Sequence, residues 1–154
     1  MAMTMTGHVM LPADRATVWA ALNNPEILKR SIPGCQELDK VSNTAFTATA
    51  KVAVGPVKAT FRGKVDLSEI DPPNGYTISG EGQGGVAGFA KGGAKVRLDD
   101  GENGGTELSY DVEAHVGGKL AQLGGRLING VAKKYADEFF KNFAGTLAPQ
   151  EAPT

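Results

Sequence analysis

The sequence predicts an α+β fold: a curved antiparallel sheet wrapped around one long C-terminal helix, with two short helices between the first and second strands. Three observations carry this reading. Apolar and polar residues alternate with period two from Gln36 to Val116. After Gly117-Gly118 the apolar spacing becomes three to four. Before both, Asp14 and Asn24 each stand where a short helix starts.

Met3 to Leu11 alternates and reads as the first strand. Asp14 caps a helix whose apolar face is Val18, Trp19 and Leu22. Asn24 caps the next, with Pro25 at its first position and Glu26 favourable in its first turn. Pro33-Gly34 is the turn that ends it. Phe46, Ala48, Ala50, Val52 and Val54 then share one strand face, and Gly55-Pro56 is a turn. Val57, Ala59, Phe61, Gly63, Val65 and Leu67 share the inner face of the following strand, with Lys58, Thr60, Arg62, Lys64 and Asp66 opposite. One sheet face therefore packs inward and the other meets water.

Asp71 to Gly75 is a turn. Tyr76, Ile78, Gly80 and Gly82 continue the inner face, and Ala90, Gly92, Ala94, Val96 and Leu98 resume it after a glycine-rich connection. Asp99 to Gly105 is a polar loop, and Leu108, Tyr110, Val112, Ala114 and Val116 form the last inner row. The count is about six or seven strands. Leu120, Leu123, Leu127, Val131, Tyr135, Phe139 and Phe143 mark one helix from Lys119 to Ala144, which covers the apolar sheet face. The domain spans 1–146, and 147–154 is expected to be a disordered tail.

Lys plus Arg number 16 against 17 Asp plus Glu, a balance that lacks the cation excess of a nucleic-acid binder. Cys35 stands alone, so no internal disulfide forms and a reducing compartment fits. Met1 to Gly7 lacks the pattern of a signal peptide, and no apolar run is long enough to cross a bilayer. A cytoplasmic protein is expected.

The inner rows are unusually small: Ala48, Ala50, Ala59, Gly63, Gly80, Gly82, Ala90, Gly92 and Ala94. The covering helix carries Gly124, Gly125 and Gly130. Either helix and sheet pack very closely, as filled interiors do, or space remains between them. A curved sheet, which recedes in its middle, favours a cavity. Its expected wall is Ala48, Val52, Ala59, Phe61, Gly63, Ile78, Gly80, Ala94, Val96, Tyr110, Val112, Leu123, Leu127 and Val131. A gate is expected from the Ser31–Cys35 turn and the glycine-rich connection, at Ile32, Pro33, Gly34, Gly84, Gly85 and Phe89. Such a lining suits an apolar ligand.

Catalytic and metal-binding groups are missing from this pattern, so none is assigned. His8 and His115 fall on the outer strand face, and no His/Cys cluster has ligand spacing. Cys35 has no histidine near it in sequence and reads as an apolar filler. Gly80 to Gly85 matches G-x-G-x-x-G, but a strand follows where a dinucleotide site needs a helix. Tyr110 is the clear polar residue among the inner rows. It reads as a core tyrosine with its hydroxyl at the rim, or as a group that orients a ligand. Lys119, Arg126 and Lys133 recur every seven residues, with Lys134 and Lys141 beside them. That stripe is either a solvated face or a docking surface for anionic lipid or an acidic partner.

Four segments carry a resemblance: Leu28-Lys29-Arg30-Ser31-Ile32-Pro33-Gly34-Cys35, Val54-Gly55-Pro56-Val57-Lys58, Gly88-Phe89-Ala90-Lys91-Gly92 and Gly117-Gly118-Lys119-Leu120-Ala121-Gln122-Leu123-Gly124. In order, they resemble the CoxG family of carbon monoxide dehydrogenase subunits. The stretch from Val18 to Leu28 resembles the first helices of the wider START-like (SRPBCC, helix-grip) superfamily. The resemblance implies an accessory protein for a molybdenum hydroxylase such as aerobic carbon monoxide dehydrogenase. It also implies peripheral contact with the cytoplasmic membrane and a part in delivering electrons to quinone. It leaves three readings open: a carrier of a hydrophobic ligand, with an isoprenoid quinone as the expected occupant; a cyclase or aromatase-like enzyme of the same superfamily; and an assembly factor whose cavity is incidental. An enzyme needs polar groups converging in the cavity, and the inner rows supply almost none.

Overall fold

The structure is a computed structural model that describes residues 1–147. Its strands are β1 (Ala2–Leu11), β2 (Cys35–Ser42), β3 (Ala45–Val54), β4 (Val57–Asp71), β5 (Gly75–Gln83), β6 (Phe89–Asp100) and β7 (Thr106–Gly117). They form one antiparallel sheet in the order β1-β7-β6-β5-β4-β3-β2. The strands β2 to β7 follow one another as hairpins, and β1 closes onto β7. Helices α1 (Arg15–Leu22) and α2 (Pro25–Ser31) carry the chain from one sheet edge to the other. This is the α+β arrangement that the periodicity predicts.

The local signals act through the expected chemistry. Asp14 accepts the Thr17 amide hydrogen at 2.8 Å and opens α1. Asn24 accepts from Glu26 at 3.0 Å and Ile27 at 3.4 Å and opens α2, with Pro25 in its first turn. Those amides have no partner inside the helix, so a side-chain oxygen satisfies them. Gly55, at φ 58°, takes the left-handed conformation of the tight turn between Val54 and Val57.

The covering helix departs from expectation. In place of one helix from Lys119 to Ala144 there are two, α3 (Lys119–Gln122) and α4 (Gly125–Leu147). Gly124, at φ 90°, breaks the helical path, and the Ile128 amide then bonds to its carbonyl at 3.2 Å. Two successive glycines, each costing about 1 kcal/mol of helix propensity, make this the weakest point of the row. The break rephases the apolar face: Ile128 is buried, whereas Leu127 is 37% exposed. The expected 147–154 tail is helical at Leu147 and otherwise lies outside the described residues.

The buried side chains fall into two groups. The larger joins Leu11, Val18, Leu22, Phe46, Leu67, Leu98 and Leu108 around Phe143, which is wholly buried. The smaller joins Val54, Val116, Leu120 and Ile128 where α3 and the start of α4 meet the opposite end of the sheet. Polar contacts fix α4 across both. Tyr135 accepts the Ala53 amide hydrogen at 3.1 Å, and the Asn142 amide donates to the Ser31 carbonyl at 3.1 Å.

Candidate functional site

A cavity of about 330 Å³ lies between the inner sheet face and the C-terminal half of α4. One rung across the sheet, Met5–Val112–Ala94–Ile78–Leu67, forms its floor from β1 to β4. Ala48 and Phe46 of β3 and Leu38 of β2 form one side, Leu22, Leu28 and Ile32 another, and Ala136, Phe139 and Phe140 the roof. The volume is near the lower end of the small-molecule range. It is roughly twice that of an engineered apolar cavity that takes up benzene.

Among the described residues no carboxylate, amine, imidazole or thiol lines this space; its polar side chains are the phenols of Tyr76 and Tyr110. Tyr76 is 7% exposed and packs on Trp19 at 5.2 Å between ring centroids. Burial pushes its phenol well above the ordinary range, so it stays protonated. Tyr110 is half-buried and stacks on Phe140 at 5.3 Å with an interplanar angle of 24°. Its cross-strand partner is Gly7, where any Cβ would collide with the Tyr110 hydroxyl. Glycine therefore lets that ring lean over β1. Tyr110 also borders an outer recess of about 720 Å³, lined by His8, Glu107, Asp111, Lys133 and Asp137. That recess is a polar, open groove, and it lies outside the apolar site.

Of the residues expected from sequence, Ala48, Ile78, Ala94, Val96, Tyr110 and Val112 come together in the cavity, joined by Ile32. Val52, Phe61, Leu123 and Val131 instead pack around the smaller core group, and Leu127 is largely at the surface. Ala59 lines a surface groove with Pro33 and Gly34. Gly63 leaves no hollow, because neighbouring backbone fills the place of the missing side chain, and Gly80 leaves little, with the Lys64 carbonyl and the Val65 side chain close by. A Cβ at Gly63 would strike the Glu81 carbonyl, and one at Gly80 would sit 3.2 Å from the Lys64 carbonyl. Gly124, Gly125 and Gly130 face open space, not the sheet.

Gly84, Gly85 and Phe89 lie at the β5–β6 connection, beside Phe61 and Gly117, and do not border the cavity. Sequence reasoning placed Phe46, Val65, Leu67 and Leu108 on the inner rows but not in the wall, and missed Met5, Leu22, Leu28, Leu38, Tyr76, Ala136, Phe139 and Phe140 as lining. The spacing of Ala132, Ala136 and Phe140, four residues apart, marks a second row on the helix and was the signal that could have found the roof.

The remaining chemistry-bearing groups lie elsewhere. His8 and His115 are exposed on the outer sheet face. Burial raises the Cys35 thiol pKa, opposed in part by Lys29, and the thiol donates to the Glu37 carbonyl at 3.4 Å. Among the described residues no group of His, Cys, Asp and Glu has metal-binding geometry, and no helix is long and apolar enough to cross a membrane. Lys119, Arg126, Lys133, Lys134 and Lys141 are all exposed. The helix break separates Lys119 from the others, and Lys133 pairs with Asp137 at 3.1 Å.

Known proteins share this architecture. A conserved protein from Geobacillus kaustophilus has a similar structure, with a TM-score of 0.88 and 30% identity, over 94% of this chain and 95% of that one. A START superfamily protein from Mycobacterium smegmatis aligns with a TM-score of 0.71 and 13% identity, over 94% and 96%. The Zhui aromatase/cyclase from Streptomyces sp. R1128 aligns with a TM-score of 0.69 and 13% identity, over 96% and 94%. At such identities the last two speak to fold alone. No curated protein matches the sequence. Residues 7–148, nearly the whole chain, match the family of the CoxG subunit of carbon monoxide dehydrogenase, and the protein belongs to that family.

Proposed function

We propose that this chain is a non-catalytic carrier of a neutral apolar molecule, a quinone, which it collects at the cytoplasmic membrane for a molybdenum hydroxylase such as carbon monoxide dehydrogenase. The observation that carries the reading is the cavity of about 330 Å³ whose polar lining is two phenols. Burying a flat ring there gains about 25 cal/mol per Å² of apolar surface. A hydroxyl such as that of Tyr110 orients a quinone carbonyl without bringing charge into the site. Fatty acids and phospholipids fit less well, because an ionised head needs a partner or an exit to water. The volume takes the ring and the first part of a chain, so a long isoprenoid tail extends beyond it. The family description supports the partner, and the START-like fold supports a ligand-binding accessory role.

A cyclase needs a general acid or base within reach of the reacting atoms. Tyr76, held protonated by burial, supplies no base, and among the described residues no carboxylate or imidazole lines the cavity to supply one.

The deciding experiment mixes purified protein with quinone-containing vesicles, pellets the vesicles and assays the supernatant for protein-bound quinone. Quinone in the supernatant in proportion to protein is the expected result. Fatty acid leaving the vesicles while quinone stays behind overturns the quinone assignment.

A further inference from the structure

We infer that the glycine-rich end of the molecule, where the β3–β4 and β5–β6 connections meet α3 and the start of α4, is the face that docks on an anionic lipid bilayer. The inference rests on the carrier reading only in that such a carrier visits a membrane.

Two features coincide there. The first is a group of exposed apolar side chains. Val86 sits at the apex of the β5–β6 connection and is 84% exposed, Phe89 is 41% exposed, and Leu127 is 37% exposed against the β3–β4 turn at Gly55. Their placement is fixed by the fold. The Gly84 amide bonds to the Gly88 carbonyl at 2.8 Å, and Ala87, 3% exposed, anchors the turn inward and leaves its neighbour Val86 facing out. The Gly88 backbone lies against Gly117 and Gly118, where a Cβ would collide. That contact ties the β5–β6 apex to the end of β7 and the start of α3.

The second feature is charge. Along Ala50–Arg62, Glu81–Gly92 and Glu113–Val131, the segments that build this end, the exposed cations are Lys51, Lys58, Arg62, Lys91, Lys119 and Arg126. The carboxylates there are Glu81, 4.0 Å from Lys64, and Glu113. Among the described residues none of those six cations has an ion-pair partner within 4 Å. The opposite end is acidic: Asp14, Glu69, Asp71, Asp99, Asp100, Glu102 and Glu107 outnumber Arg15, Lys95 and Arg97. The near-neutral net charge thus hides a polarised molecule whose field orients it with the glycine-rich end toward a negative surface. Apolar side chains at the apex then enter the interface, as in peripheral proteins that combine cations with a small apolar insertion. A bilayer fits this pairing better than an acidic protein does, because the cations are accompanied by exposed apolar side chains, Val86 foremost, that an acidic surface would leave in water and an acyl interface would bury.

The test uses quinone-free vesicles of phosphatidylcholine alone and of phosphatidylcholine mixed with phosphatidylglycerol, with binding read by sedimentation. The protein should bind the mixed vesicles, bind the neutral ones far less, and lose binding as salt rises. Lys119→Glu with Arg126→Glu should weaken binding at least about tenfold, since each cation near an acidic surface contributes. Val86→Asp should weaken it severalfold at unchanged melting temperature, because that side chain packs on little. Lys134→Glu with Lys141→Glu, the same charge change toward the far end of α4, should weaken it much less. Equal losses from the two double variants would overturn the assignment of this face. Absence of binding to mixed vesicles would also overturn it and leave the end to an acidic protein partner. Ala94→Phe, which fills the cavity, should bind vesicles as the unchanged protein does, so docking and ligand carriage succeed or fail separately.

Discussion

Tyr110 on β7 and Phe140 on α4 stack at 5.3 Å across the margin of the apolar cavity, so one aromatic pair joins the sheet to its covering helix. Phe140 in turn meets Phe139 edge to face at 5.0 Å, and Phe139 stacks on Phe143 at 5.6 Å. The roof of the cavity is therefore continuous with the largest fully buried side chain of the core.

Tyr110→Phe separates the two roles of that ring. The stack survives, so thermal stability should be nearly unchanged. Loss of one hydroxyl hydrogen bond, worth about 1 kcal/mol, should weaken quinone binding about fivefold. Quinone titration by fluorescence quenching measures it, and unchanged affinity would show that the hydroxyl does not touch the ligand.

Ala94→Phe should abolish binding of an apolar fluorescent probe without lowering the melting temperature. Ala94 lies between Ile78 and Val112 on the cavity floor, so the added ring enters free space. Gly63→Ala makes the contrast. Its Cβ meets the Glu81 carbonyl, a backbone atom that cannot swing aside, and a cost of about 1–3 kcal/mol is expected in urea unfolding. Equal stability of the two variants would contradict this account of the inner rows.

Phe143→Ala removes a side chain with 0% exposure from the junction of α4 and the main core. A loss of about 3–5 kcal/mol is expected from transfer and cavity terms together. Chemical denaturation gives the value, and a loss below that of an ordinary surface change would mean that α4 relaxes into the space.

Asp14 links stability to acid. Hydrogen bonds from Thr17, side chain first and backbone amide second, hold its carboxyl below its ordinary pKa. A pKa depressed in the folded state adds stability above the unfolded value, and that stability disappears as pH falls through the folded value. Asp14→Asn keeps an acceptor at the helix start, so it should leave α1 intact while flattening this part of the acid-side decline. Melting curves across the acidic range test it, and an identical decline in both proteins would rule out a contribution from Asp14.

Much of the fold was legible because its signals are local. The alternation of Val57, Ala59, Phe61, Gly63, Val65 and Leu67 against Lys58, Thr60, Arg62, Lys64 and Asp66 needs only a pleated strand with one wet face. Asp14, Asn24 and Pro25 act within one helical turn, so their helices start where sequence placed them. The family, too, was legible, from four short segments in order.

What the tertiary structure decided was where the hollow lies. Small side chains on an inner row permit space or close approach, and sequence alone does not distinguish the two. At Gly63 and Gly92 the neighbouring strands bring the Glu81 and Glu113 carbonyls into the place of a Cβ, so that end of the sheet is filled. Around Ala48 and Ala94 the sheet recedes from α4 and the space persists. The same limit applied to the helix. A period of three to four residues identifies a helix but not its phase after a break, and Gly124 turned Leu127 out to solvent and Ile128 in. Periodicity records which face a residue takes within its own element. How far apart two facing elements stand depends on sheet curvature and helix breaks, which arise from contacts between residues distant in the chain.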